Sequence, residues 1–213
     1  MESMSRTERA ALCNSALEAG EHAPTLCGRW TVKDLIIHLL VRERDPLGAP
    51  GILFPQLEGL TDWSARRLAR QDFTSLVERV RSGPPVWSPI SLPPFDKAVN
   101  TLEYFVHHED IRRAGTEWVP RELTAREQKV LWKAISMSGK GLVRPAGVPV
   151  EIRWPGDERD RSAVLRWGSE PVVVRGQPAE ITMFLFGREQ YTGLQFDGPE
   201  ATVKKLTATG LGL

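Results

Sequence analysis

The segment L-E-Y-F-V-H-H-E-D-I-R-R-A-G, residues 102–115, concentrates the side chains of this sequence that can do chemistry. Glu103 and His107 are four residues apart, so a helix turns a carboxylate oxygen and an imidazole nitrogen toward the same point. Asp110, three residues further on, joins that face, and Val99, Leu102 and Val106 direct it toward a core. A carboxylate and an imidazole taken out of water need a counter-charge or hydrogen bonds, because unpaired burial costs at least a few kcal/mol. A divalent metal would supply that partner.

Glu103 and His107 leave a site one protein ligand short. The chain has four histidines, His22, His38, His107 and His108. His38 falls with Leu35, Leu39 and Arg42 at i, i+3, i+4 and i+7 of a second helix, on or beside its apolar stripe. Two imidazoles and one carboxylate leave a coordination position open for water or substrate, the pattern of a functional rather than a purely structural site. Asp110 would then orient an imidazole from behind. The same residues have plainer uses. Glu103 and His107 also suit a solvated i, i+4 pair, and His38 a core histidine bonded to a carbonyl. His108 lies about 100° around the helix, where exposure or a pairing with Glu109 is expected, and His22 falls in a loop with no role.

The elements that would position these groups are mostly helices. Residues 5–19 form an amphipathic segment closed by Gly20, and a loop holding Pro24 and Gly28 follows. Thr31 and Asp34 make a capping box that starts a helix at Val32. Residues 44–60, rich in Pro and Gly, read as a long surface connection. Residues 63–81 read as one helix with Leu68, Phe73, Leu76, Val77 and Val80 on its apolar side. After the proline-rich run 83–94, a helix over 95–114 carries Phe95, Ala98, Val99, Leu102, Phe105 and Val106 inward and ends at Gly115. Thr124 and Glu127 cap another helix over 125–140.

Beyond Gly141 the pattern changes to short β-branched runs, 148–154, 162–167 and 171–175, as expected of antiparallel strands. A helix over 178–186 closed by Gly187, a short strand over 195–197 and a helix over 199–206 complete the chain. The fold class is therefore mainly α with a small α/β part, divided as 1–143 and 144–213.

Composition narrows the functions. With 28 basic against 27 acidic residues, no electrostatic case exists for nucleic acid or an anionic membrane. The N-terminus lacks the apolar stretch of a secretory signal, and no window approaches the roughly 20 apolar residues of a membrane span, so a soluble, cytoplasmic protein is expected. Cys13 and Cys27 fit neither a redox C-x-x-C nor a zinc ribbon and read as reduced thiols. Oligomeric state is not legible.

The segments W-T-V-K-D-L-I-I-H-L (30–39) and E-Y-F-V-H-H-E-D-I-R-R-A-G (103–115) together resemble the DinB-like, mycothiol-dependent maleylpyruvate isomerase family of actinobacteria, over most of the chain. The likeness is closest to a metal-binding subfamily without an established substrate. It implies a DinB-like four-helix bundle whose metal is held by the positions of His38, Glu103 and His107, with Asp110 in a shared structural or orienting role. It also implies a small α/β domain similar to sterol carrier proteins, matched best by G-Q-P-A-E-I-T-M-F-L-F-G-R (176–188). The implied chemistry is thiol-dependent: a divalent metal, zinc first, favours the thiolate of mycothiol for attack on an electrophilic small molecule. Reversible addition would give an isomerase and irreversible attack an S-transferase. Arg188 could hold a substrate carboxylate, or serve as a solvated arginine at a helix end. Nickel, iron and manganese occupy similar donor sets. A metal-binding stress or ligand-carrier protein and a metal-dependent hydrolase are the rival readings.

Overall fold

The structure is a computed structural model that describes residues 3–85, 88, 93–156 and 160–212, without the side chains of 53, 55 and 93–99. The chain forms two compact units, Met1–Val119 and Pro120–Leu213. The first is helical and the second combines helices with a four-stranded sheet, so the fold is mainly α with a small α/β part.

In the first unit, α1 (Met4–Ala19), α2 (Val32–Arg44), α4 (Glu58–Ala69), α5 (Phe73–Arg81) and α6 (Pro93–Arg112) pack together, with α3 (Pro50–Leu53) a single turn between α2 and α4. Helix α2 starts where the sequence predicts: the Thr31 hydroxyl accepts from the Asp34 amide while the Asp34 carboxylate accepts from the Thr31 amide. Its inward stripe joins Leu12, Cys13 and Ala16 of α1 and Leu76, Val77 and Val80 of α5 in one apolar core. Burying each of the leucines and valines among them contributes roughly 1.5–3 kcal/mol.

Two stretches differ from expectation. The predicted 63–81 helix is broken at 70–72, because the Asp72 carboxylate accepts from the Ser75 amide and starts α5 afresh. The predicted long connection over 44–60 is largely helical turns: α3, a 3-10 turn Pro55–Leu57 and the start of α4. Proline at the first position of a turn donates no amide and fits there, so a Pro-rich stretch can hold short turns.

Polar side chains tie the helices of this unit together. Arg9 of α1 donates to the Tyr104 hydroxyl at 2.6 Å, and the buried Tyr104 of α6 donates to the buried Glu43 of α2. His108 bonds through Nδ1 to Glu8 Oε2 and through Nε2 to Ser15 Oγ, each at 3.0 Å. This corrects the expectation for His108, which is buried against α1 rather than exposed. Glu109 instead pairs with Arg112 and Arg113. Phe95, Ala98 and Val99, predicted to face inward, have side chains outside the described residues.

In the second unit, α7 (Ala125–Leu142) begins at the predicted capping box of Thr124 and Glu127. Strands β1 (Val150–Trp154), β2 (Arg161–Arg166), β3 (Val172–Arg175) and β4 (Gln195–Asp197) form a sheet in the order β2-β1-β3-β4. The predicted all-antiparallel arrangement gives way to a mixed sheet, since β1 and β3 run parallel, Ile152 opposite Val174. Helices α8 (Pro178–Leu185) and α9 (Glu200–Ala208) complete this unit. Gly187 sits at φ +75, and a Cβ there would meet the Leu211 carbonyl oxygen at 2.4 Å, so glycine alone fits the end of α8. The division falls at 119/120 rather than 143/144. Helix α7 packs on α8 and β2, with Leu131 and Ile135 buried, so the pattern change near Gly141 marks a change of element inside one unit.

Candidate metal centre

The capping box fixes the start of α2, and two turns later this places His38 and Arg42 on one side of that helix. Helix α6 supplies Glu103, His107 and Asp110 from the facing side. Glu103 Oε1 lies 3.3 Å from His38 Nε2 and 3.2 Å from His107 Nε2. The His38, Glu103 and His107 donor atoms all fall within 4.8 Å of one another. The three residues that sequence singled out as ligands are thus brought together from two helices, with His38 and Glu103 65 residues apart in sequence.

The donor set fits a divalent metal. Tetrahedral zinc bonds of about 2.0–2.1 Å to nitrogen and oxygen separate neighbouring ligand atoms by roughly 3.3 Å, which matches the spacings about Glu103 Oε1. Two imidazoles and a carboxylate suit zinc and also nickel, iron or manganese. The buried Asp110 places Oδ2 2.9 Å from His107 Nδ1, while His107 Nε2 is turned to Glu103.

Charges at the site oppose its burial. Desolvation alone would raise the Glu103 carboxyl, but the Arg42 guanidinium and hydrogen bonds from both imidazoles hold it well below the usual carboxylate range. Desolvation would lower His107, but Asp110, Cys27 and Glu103 hold its imidazole well above the ordinary histidine value. At His38 burial prevails over the Glu103 bond and pushes the imidazole down. Arg42 Nε lies 3.6 Å from Glu103 Oε1, and its Nη2 donates to Asn100 Oδ1 at 2.9 Å. Arg42 Nη1 is buried with no hydrogen-bond partner among the described residues.

Two neighbours of the site come from the loop before α2. The Leu26 amide donates to the Asp110 carbonyl at 3.0 Å, and Gly28 turns the chain at φ +64. The turn sets the Cys27 thiol as a donor to Asp110 Oδ2 at 3.0 Å, 3.8 Å from His107 Nδ1. It also sets the Trp30 ring 5.1 Å from the His38 ring, with 39% of the residue exposed, so Trp30 flanks the cluster at the solvent edge. Sequence reasoning left Cys27 as a plain thiol. Its one signal was its place three residues before Trp30, in the loop that leads into the His38 helix.

The remaining residues fall elsewhere. His22 is a solvent-facing partner of Glu21. Cys13 is a buried free thiol in the core of the first unit. Arg188 belongs to the second unit, where its Nη1 donates to the Phe186 carbonyl at 2.6 Å. Among the described residues no helix is long and apolar enough to cross a membrane. No family model matches the chain, and no curated protein or solved structure matches it.

Proposed function

We propose that this chain binds one divalent metal ion, zinc first, through His38, Glu103 and His107. In this reading it is a DinB-like, mycothiol-dependent isomerase or S-transferase. The observation that carries the metal reading is the convergence of three donor atoms from α2 and α6 within 4.8 Å, with both spacings about Glu103 Oε1 close to those between neighbouring ligands of tetrahedral zinc. When bound, such an ion favours the thiolate form of a low-molecular-weight thiol and so supplies a nucleophile at neutral pH.

The protein's own residues supply the rest. Asp110 fixes which imidazole nitrogen of His107 faces Glu103. Trp30 shields His38 from one side. Arg42 places a guanidinium beside Glu103, so a dication at the cluster would leave a net positive site. That charge favours an anion over a neutral ligand at the open position. Arg188 is the candidate for a substrate carboxylate, on the strength of the resemblance.

The excess positive charge also suits hydroxide, which keeps a metal-dependent hydrolase as the second reading. A metal-binding stress or ligand-carrier protein without chemistry is the third. Calorimetry of mycothiol against metal-loaded and metal-free protein separates them. Binding that requires the metal supports the thiol reading, and no binding to the loaded protein refutes it.

A further inference from the structure

The two ring nitrogens of His107 face two different donor groups. Nε2 is turned to Glu103, whereas Nδ1 is turned to Asp110 Oδ2 at 2.9 Å and to Cys27 Sγ at 3.8 Å. Cys27 Sγ, His107 Nδ1 and Asp110 Oδ2 form a second group whose donor atoms all lie within 4.8 Å of one another, beside the one made by His38, Glu103 and His107. The two groups differ in chemistry. The first offers nitrogen and oxygen, whereas the second adds sulfur, which selects soft cations.

A neutral imidazole has one free lone pair, so His107 serves one group at a time. We infer that Cys27, His107 and Asp110 form a second cation site, selective for thiophilic ions, whose occupancy takes His107 away from His38 and Glu103. Binding there replaces the S–H bond of Cys27 and the N–H bond of His107 Nδ1 by bonds to the cation and releases both protons to solvent, with no change of oxidation state. The remaining ring proton resides on Nε2, where Glu103 Oε1 at 3.2 Å accepts it. Asp110 exchanges its hydrogen bonds from Cys27 and His107 for the cation. The loop carrying Cys27 is already anchored, through the Leu26 amide on the Asp110 carbonyl and the Cys27 amide on Thr25 Oγ1 at 3.2 Å, so the thiol needs no rearrangement of the chain to reach the group.

Exclusion of the first site rests on the reading of His38, Glu103 and His107 as a metal centre, whereas the thiophilic site stands on its own donors. The consequence is a protein whose His38 site loses its third ligand when a soft cation arrives. That is the behaviour of a sensor for such ions, or of a centre specifically poisoned by them.

Cadmium is the probe. Full-length protein, stripped of metal by a chelator, is titrated with Cd2+ and followed by the ultraviolet thiolate-to-cadmium charge-transfer band. The expected result is a band that saturates at one ion per chain, is lost in Cys27→Ser, and is kept in Cys13→Ser and in His38→Ala. Dialysis against zinc and cadmium together is expected to leave one divalent ion per chain in total. No band, or a band that survives Cys27→Ser, overturns the site. Two ions held at once overturn the sharing of His107. Zinc that fails to bind the wild-type chain, beside an intact cadmium band, refutes the His38 site and supports the thiophilic one.

Discussion

His107 and His108 are adjacent on α6 and both buried, yet the two faces of that helix treat them in opposite ways. His108 is closed off: one ring nitrogen meets Glu8, the other meets Ser15, and both partners belong to α1. His107 is over-supplied, with Glu103, Asp110 and Cys27 around a single ring and His38 beside it, its ring centroid 5.4 Å away. A histidine with one partner on each nitrogen fixes two helices together. A histidine amid several convergent donors has room for a cation. The same residue type is thus structural on one face and ligand-like on the next, and its neighbours decide which.

The comparison is broken most sharply by exchanging the two losses. His107→Ala is expected to abolish stoichiometric metal binding, since His107 belongs to both donor groups, while the protein stays folded by circular dichroism. His108→Ala is expected to leave metal content intact and to cost about 3 kcal/mol in urea unfolding, because the buried Glu8 carboxylate loses its partner. A smaller effect tests the orienting role: Asp110→Asn should weaken metal affinity about 10- to 100-fold, read by competition with a chromogenic chelator. An unchanged affinity would make Asp110 a packing residue.

The mildest prediction concerns the cysteines. Burial pushes the Cys13 thiol up to about 12 from an ordinary value of 9.0, whereas Cys27 is partly accessible. Because the folded value is the higher one, this contribution to stability is complete below pH 9.0 and is lost as pH climbs toward about 12. Over that window the unfolded chain releases a proton that the folded one keeps, which lowers stability by up to about 1.4 kcal/mol per pH unit. Cys13→Ala should remove that slope from alkaline unfolding curves. Iodoacetamide at neutral pH should label Cys27 in the native protein and Cys13 only after unfolding.

Local chemistry was legible in the sequence, and long-range partnership was not. The capping boxes at Thr31 and Thr124 were readable because both partners lie three residues apart. Glu103 and His107 were readable because a helix sets their angle. The turn before His38 carried no such signal for Cys27, whose partner Asp110 lies 83 residues away and is reached only through the Gly28 turn. His108 was misplaced because a helical wheel gives an angle and not what covers it; α6 is covered by α1 on one face and by the 24–31 loop on another. The break between α4 and α5 had a visible cause in Asp72, masked by an apolar periodicity that runs across it. Parallel pairing of β1 with β3 left no trace, since alternation along a strand is the same in either direction.

The central claim is that His38, Glu103 and His107 hold one divalent ion. Elemental analysis of protein purified without added metal, then reloaded with zinc and dialysed, tests it directly in the wild type and in His38→Ala and Glu103→Ala. The account predicts one ion per chain in the wild type and less than a tenth of that in either variant. Full occupancy that survives both substitutions would contradict it.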